Sequence, residues 1–190
     1  MKLIDSTKLI DATEGAKHLL GCVLKRTLAD GTVLSVRIVE TESYHQEDPA
    51  SHTFHGQSPR NSAMFGKPGH AYIYFTYGMH WCFNVTAGSV GHGAGILIRA
   101  AEPLEGTDVM VQNRKIEDIH QLTNGPAKLA QALLIDKTLY GHDLKNPPLQ
   151  IFEPENRNFK VVSTTRIGIS KAVDEIARFY IEGNPFVSKK

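Results

Sequence analysis

The stretch CVLKRTLADGTVLSVRIVETESY, residues 22–44, decides the fold class. Two runs rich in Val, Leu, Ile and Thr flank Asp30-Gly31, and an Asp-Gly pair between such runs is a strong signal for a tight hairpin. The stretch therefore reads as two antiparallel strands. The second arm is long, and side chains alternate faces along a strand. Leu34, Val36 and Ile38 share a face; if the strand continues, Glu40, Glu42 and Tyr44 extend it. Two carboxylates then prolong an apolar face toward the interior, beside a tyrosine. Burying an unpaired carboxylate is costly and raises its pKa, which makes it a general acid/base candidate. The alternative is that the strand ends near Glu40 and one glutamate pairs with a basic residue such as Arg99. Both readings stand at this level.

Working outward, ATEGAKHLLG reads as a short helix, with Thr13 as cap and Gly21 as stop. Residues 45–70 are rich in Pro, Gly, Ser, His and Asn and read as a loop. AYIYFTY and HWCFNV form a second hairpin around Gly78. AGILIRAAEP reads as a buried strand, EGTDVMVQNRK as a short helix, and NGPAKLAQALLI as a helix with Pro126 in its first turn. Strands are expected near RIGIS and ARFYI. The mixture is α+β with mostly antiparallel pairing.

A chain of 190 residues suits one domain, spanning 1–190, with a full core. No run of about 18 apolar residues exists, so no membrane association is expected. The first residues, MKLIDSTKLIDATEG, carry acids and lack an apolar signal core, so export is not expected. Cys22 and Cys82 make neither a disulfide framework nor a metal-type pair by spacing, and read as buried thiols in a reducing cytosol. The net charge of +1 decides nothing about partners. Its distribution says more. From Pro49 to Ala101 there is no Asp or Glu, yet the segment holds Arg60, Lys67, Arg99, five histidines and eight of the 15 aromatic residues. Such a stretch tolerates a polyanion alongside it. Burial, where acids are rare in any case, accounts for it equally well.

The motifs VETESY (39–44), EDPASH (47–52), SPRNSAMFGKPG (58–69), YIYFTYGMHWCFN (72–84), LIRAAEPLEG (97–106), NGPAKLAQAL (124–133) and RIGI with RFYIEGNP (166–185) run in order. Together they resemble the alkyladenine, or 3-methyladenine, DNA glycosylase family of the mammalian type, over nearly the whole chain. The resemblance implies a compact single domain built on a curved antiparallel β-sheet with surrounding helices and no helix-hairpin-helix. It implies a monofunctional glycosylase that flips alkylated or deaminated purines from double-stranded DNA and hydrolyses the N-glycosidic bond. 3-Methyladenine, 7-methylguanine, hypoxanthine and ethenoadenine are the substrates implied, with no metal, no cofactor and no lysine Schiff base. The lack of a long N-terminal arm fits a bacterial member, expected to be a monomer in the cytoplasm, nucleoid-associated when bound to DNA.

By the same resemblance, Glu42 activates the attacking water and Arg99 lies beside that water and the target phosphate. Tyr44, His52 and Tyr74 line the base-binding pocket, where electron-rich rings suit purines that are often cationic. Asn84 forms the pocket floor, crowding the exocyclic amino group of guanine. Tyr77, before Gly78 at a hairpin tip, is the wedge that fills the gap left by the flipped nucleotide. Arg60, Lys67 and Lys128 contact phosphate, the last beside a helix start at Asn124-Gly125-Pro126. Asn84 shares strand parity with His80 and Cys82, so Trp81 and Phe83 face the core. His80 and Trp81 depart from the bulky apolar or aromatic residues of the family pattern, and the near-neutral charge departs from its basic character.

Two other classes compete. His52-Thr-Phe-His55 with Glu42 suggests a metal hydrolase, but no third ligand stands at a recognised zinc spacing. A lesion sensor would keep the pocket without the chemistry, and Glu42 with Arg99 argues against it.

Overall fold

The computed structural model describes residues 2–189. Eight strands form one sheet: β1 (Val23–Thr27), β2 (Val33–Tyr44), β3 (Ala71–Thr76), β4 (His80–Ala87), β5 (Ala94–Glu105), β6 (Leu149–Phe152), β7 (Val161–Thr165) and β8 (Ile176–Ile181). All pairings are antiparallel, in the order β3-β4-β5-β2-β1-β6, with β8 added to β2 and β7 to β8. The α+β class with a curved antiparallel sheet is therefore what the chain adopts.

The long strand β2 explains the curl. On one edge β5 accompanies it from Ser35 to Tyr44. On the other, β1 pairs with Val33–Arg37 and β8 with Glu40–Glu42. The change of partner coincides with two irregularities in register. Ile38 faces Ala101 and Glu40 faces Ala100, so Val39 has no opposite residue; Thr41 then faces Ile98, so Arg99 has none. Extra residues of this kind bend a strand and sharpen its twist. The sheet curls into a half-barrel as a result.

Helix α1 (Ala12–Leu19) packs on this sheet. Ala12, Gly15, Ala16 and Leu19 are buried, the spacing of a helix with one apolar stripe. Gly15 permits the close approach: a Cβ there would stand 2.9 Å from Ile96 Cδ1 and 3.2 Å from Leu9 Cα. Thr41 donates its hydroxyl to Ala16 O at 2.9 Å, so that face of β2 looks at the helix. The cap is Asp11 rather than the expected Thr13. Asp11 has the extended backbone a cap needs and accepts from Glu14 N at 2.9 Å. Thr13 is already inside the helix, with its hydroxyl 2.9 Å from His45 Nε2.

Helices α2 (Thr107–Arg114) and α3 (Pro126–Ala132) lie where the sequence placed them. One expectation in the tail needs correction. The strand expected near RIGIS is β7, which stops at Thr165, and Arg166–Ser170 is a loop with Gly168 at φ 76°. Alternation over five residues imitates a strand, but a left-handed glycine breaks the ladder. The four-residue β6 carried too short a pattern to be seen. In the second hairpin, Phe83 is fully buried, while Trp81 is half-buried against Phe75, with ring centroids 4.6 Å apart. Cys22 and Cys82 are buried and free. Among the described residues, no helix is long and apolar enough to cross a membrane.

Candidate active site

A cavity of about 580 Å³ opens between the end of β2, the β3–β4 hairpin, the start of α3 and the loop Ile167–Lys171. Glu42, Tyr44, His52, Arg60, Tyr74, Tyr77, Asn84 and Arg99 all line it. The structure thus gathers eight of the ten residues singled out in the sequence. Lys67 is exposed outside it, and Lys128 bonds Asn124 Oδ1 at 2.8 Å, just beyond the cavity wall formed by Pro126 and Ala127.

Strand β2 does not end at Glu40. It runs to Tyr44, and Glu40 and Glu42 are both fully buried. The two alternatives drawn from the sequence merge: the strand continues, and Arg99 pairs with both carboxylates, at 3.4 Å from Glu40 and 3.2 Å from Glu42. The register irregularity explains how one arginine reaches two glutamates. Arg99 is a residue of β5 without an opposite partner, and such a bulge re-aims a side chain.

Glu42 is held by two hydrogen bonds and an ion pair. Oε1 accepts from Ile167 N at 2.9 Å and lies near Arg99 Nη1; Oε2 accepts from the Tyr44 hydroxyl at 2.8 Å. A buried carboxylate so supplied is fixed in direction. It is the one carboxylate among the described residues that line the cavity, facing Arg60, Arg99 and Lys171.

The rings form the walls. Tyr74 stacks on Tyr72 with centroids 5.7 Å apart, and His52 stands edge-on to Tyr74 at 4.5 Å. His52 Nδ1 is 2.8 Å from the Tyr72 hydroxyl. Burial, and then the charge of Arg60, hold the His52 imidazole below its ordinary pKa, although its outer edge is open to solvent. Burial pushes the hydroxyls of Tyr44, Tyr72 and Tyr74 up, so all three remain neutral. Behind Tyr44, on the protein side, the Arg166 guanidinium lies 4.6 Å from the ring centroid. Arg166 is paired with Asp48 and Glu175 and donates to Ser43 O. Asn84 donates to Tyr72 O at 3.1 Å, which fixes its amide in the floor. His80, Cys82 and Asn84 all face the cavity, as strand parity required.

Tyr77 projects from the hairpin tip and is 83% exposed. It sits in a turn closed by Met79 N and Thr76 O, and both central residues are left-handed, Tyr77 at φ 51° and Gly78 at φ 67°. Such turns favour Asn-Gly; a tyrosine there carries strain. Arg60 leans over the edge of the cavity, 5.9 Å from the Tyr74 ring, and donates to Phe75 O at 3.3 Å.

Sequence reasoning missed the loop at Ile167, whose contribution to Glu42 is a backbone N–H and leaves no mark in residue type. It also missed Arg166 behind Tyr44. His52 and His55 do not converge: among the described residues, no three His, Cys, Asp or Glu side chains form a group fit for a metal ion.

A fixed carboxylate in a ring-walled cleft, with a single aromatic thrust out beside it, suits hydrolysis at a flat group drawn out of a stack. Comparison with known proteins agrees. Residues 6–185 match the model of the family described as methylpurine-DNA glycosylase. A protein of Carboxydothermus hydrogenoformans is 49% identical over 92% of both chains. One from Methanoculleus marisnigri is 44% identical over 95% of both, and one from Francisella tularensis 46% identical over 96% of this chain and 95% of its own. All three are provisionally named 3-methyladenine DNA glycosylases. The chain belongs to the methylpurine-DNA glycosylase family.

Proposed function

We propose that the protein is a monofunctional DNA glycosylase that initiates base excision repair, acting as a monomer on duplex DNA. Its substrates are alkylated or deaminated purines: 3-methyladenine, 7-methylguanine, hypoxanthine and ethenoadenine. The observation that carries this reading is the placement of Glu42, a buried carboxylate held by two hydrogen bonds and by Arg99, facing a cavity walled by Tyr44, His52 and Tyr74.

The damaged nucleotide leaves the stack, and its base enters between the rings. Stacking favours any purine, and the tyrosine faces favour a cationic one. Asn84 meets the base edge at the floor. Tyr77 occupies the gap in the duplex, and Arg60, Lys67 and Lys128 meet phosphates. Glu42 orients a water toward C1′ and takes its proton as the glycosidic bond breaks. Its negative charge also stabilises the positive charge that develops on the sugar. Arg99 keeps the carboxylate aimed and faces the phosphate of the target nucleotide. The free base and an abasic sugar are the products.

The test uses duplexes containing a single hypoxanthine or ethenoadenine, incubated with the protein with and without EDTA and then treated with alkali. Alkali-dependent strand breaks that persist in EDTA, with no adduct trapped by borohydride, are expected. Binding without breaks would identify a lesion sensor, and breaks lost with EDTA a metal hydrolase. A borohydride-trapped adduct would mean an amine nucleophile, for which Lys171 at the cavity wall is the candidate.

A further inference from the structure

We infer that Glu40 is a positioning residue for Arg99, and that the C-terminal segment holds Glu40 in place; this rests on the reading of Glu42 and Arg99 as the reacting pair. Glu40 does not line the cavity, yet both its oxygens are committed. Oε1 accepts from Arg178 Nη1 at 2.7 Å and faces Arg99 Nε at 3.4 Å. Oε2 accepts from the backbone N–H of Ser188 at 2.7 Å. Arg178 in turn donates to Lys189 O and Thr165 O, each at 2.9 Å. The tail therefore closes over Glu40 from β8, on the side away from the cavity.

Arg99 depends on this arrangement. Its Nε is buried and makes no hydrogen bond, so the charge of Glu40 is what fixes that end of the guanidinium. Its Nη1 is shared between Glu42 at 3.2 Å and Ile167 O at 3.4 Å. Glu40, Glu42, Arg99 and Arg178 make a buried set of two negative and two positive charges, where pairing is strong and imbalance costly. Glu40 draws Arg99 back against the pull of Glu42. Without the charge on Glu40 the guanidinium swings onto Glu42 Oε1 and engages the carboxylate that must take the proton of the water.

The test is a double-mutant cycle on single-turnover excision from a hypoxanthine duplex, with the dissociation constant of the same duplex measured in parallel. Glu40→Gln should slow excision about 10²-fold, the scale of a misplacement near 1 Å. Affinity should change no more than about threefold, a split a mere loss of stability would not give. In an Arg99→Lys background, Glu40→Gln should add no further loss. Glu40→Asp keeps the buried charge but draws it back from Arg99 and Arg178 alike, and serves if the glutamine variant does not fold. It should show a smaller loss, absent again in Arg99→Lys. Wild-type rates in either Glu40 variant, or losses that multiply with that of Arg99→Lys, would overturn the inference. Glu42→Gln in the same series separates the two levels: if it excises like the wild type, the reading of the site itself fails.

Discussion

Tyr44 donates its hydroxyl to Glu42 Oε2 at 2.8 Å, from two residues further along the same face of β2. One short stretch of strand thus supplies both the carboxylate and the ring beside it, with their mutual orientation set by the strand's period of two. The same ring is braced from behind by Arg166, so its position is fixed on both sides. Removing only the hydroxyl separates the two jobs of Tyr44. Tyr44→Phe keeps the stacking surface and strips one donor from Glu42. A hydrogen bond to a charged group contributes about 1.5–3 kcal/mol, so single-turnover excision should fall roughly 10- to 100-fold. The dissociation constant for lesion duplex should move little. Equal changes in rate and affinity would mean that the hydroxyl serves binding instead.

Tyr77 occupies a left-handed position that favours asparagine, ahead of Gly78. Tyr77→Asn should therefore leave the melting temperature unchanged or slightly raised, while removing the wedge. Excision from duplex lesions should fall more steeply than excision of the same lesion from single strands. A drop in melting temperature would show that the ring supports the hairpin.

His52 carries a pH signature. Its folded pKa is lowered by burial and by Arg60, so between that value and the ordinary 6.5 the unfolded chain binds more protons. The contribution of His52 to stability is complete above about pH 6.5 and is lost as pH falls through the folded value. Arg60→Gln removes one of the two causes and should raise the His52 pKa toward normal. An NMR titration of the imidazole reads this directly; an unchanged midpoint would assign the shift to burial alone.

Arg166 and Asp48 are a buried ion pair beneath Tyr44, with side chains 0% and 6% exposed. Asp48→Asn leaves Arg166 with the surface carboxylate of Glu175 and the carbonyl of Ser43. The loss of one member of such a pair should destabilise the fold by about 3 kcal/mol in urea unfolding. A change below about 1 kcal/mol would show that Glu175 and Ser43 O suffice.

Both hairpins were legible because turn chemistry and alternation agree at Asp30-Gly31 and around Gly78. The face carrying Glu40, Glu42 and Tyr44 was legible from period two alone. What escaped was set by register and backbone. No residue type announces that Val39 and Arg99 are left unpaired, yet that slip brings Arg99 to both glutamates. Ile167 acts through its N–H, and RIGIS imitated a strand by alternating over five residues. Lys67 and Lys128 stand out in the sequence as charges fit for phosphate, and sequence spacing has no power to fix how far such a charge lies from a cavity.

The most direct measurement compares Glu42→Gln with the wild type on a single-hypoxanthine or single-ethenoadenine duplex under single-turnover conditions. A general base contributes about 10²- to 10⁴-fold. The variant should bind the duplex and release base slower by that factor. Base release within a few-fold of the wild-type rate would contradict the account at its centre.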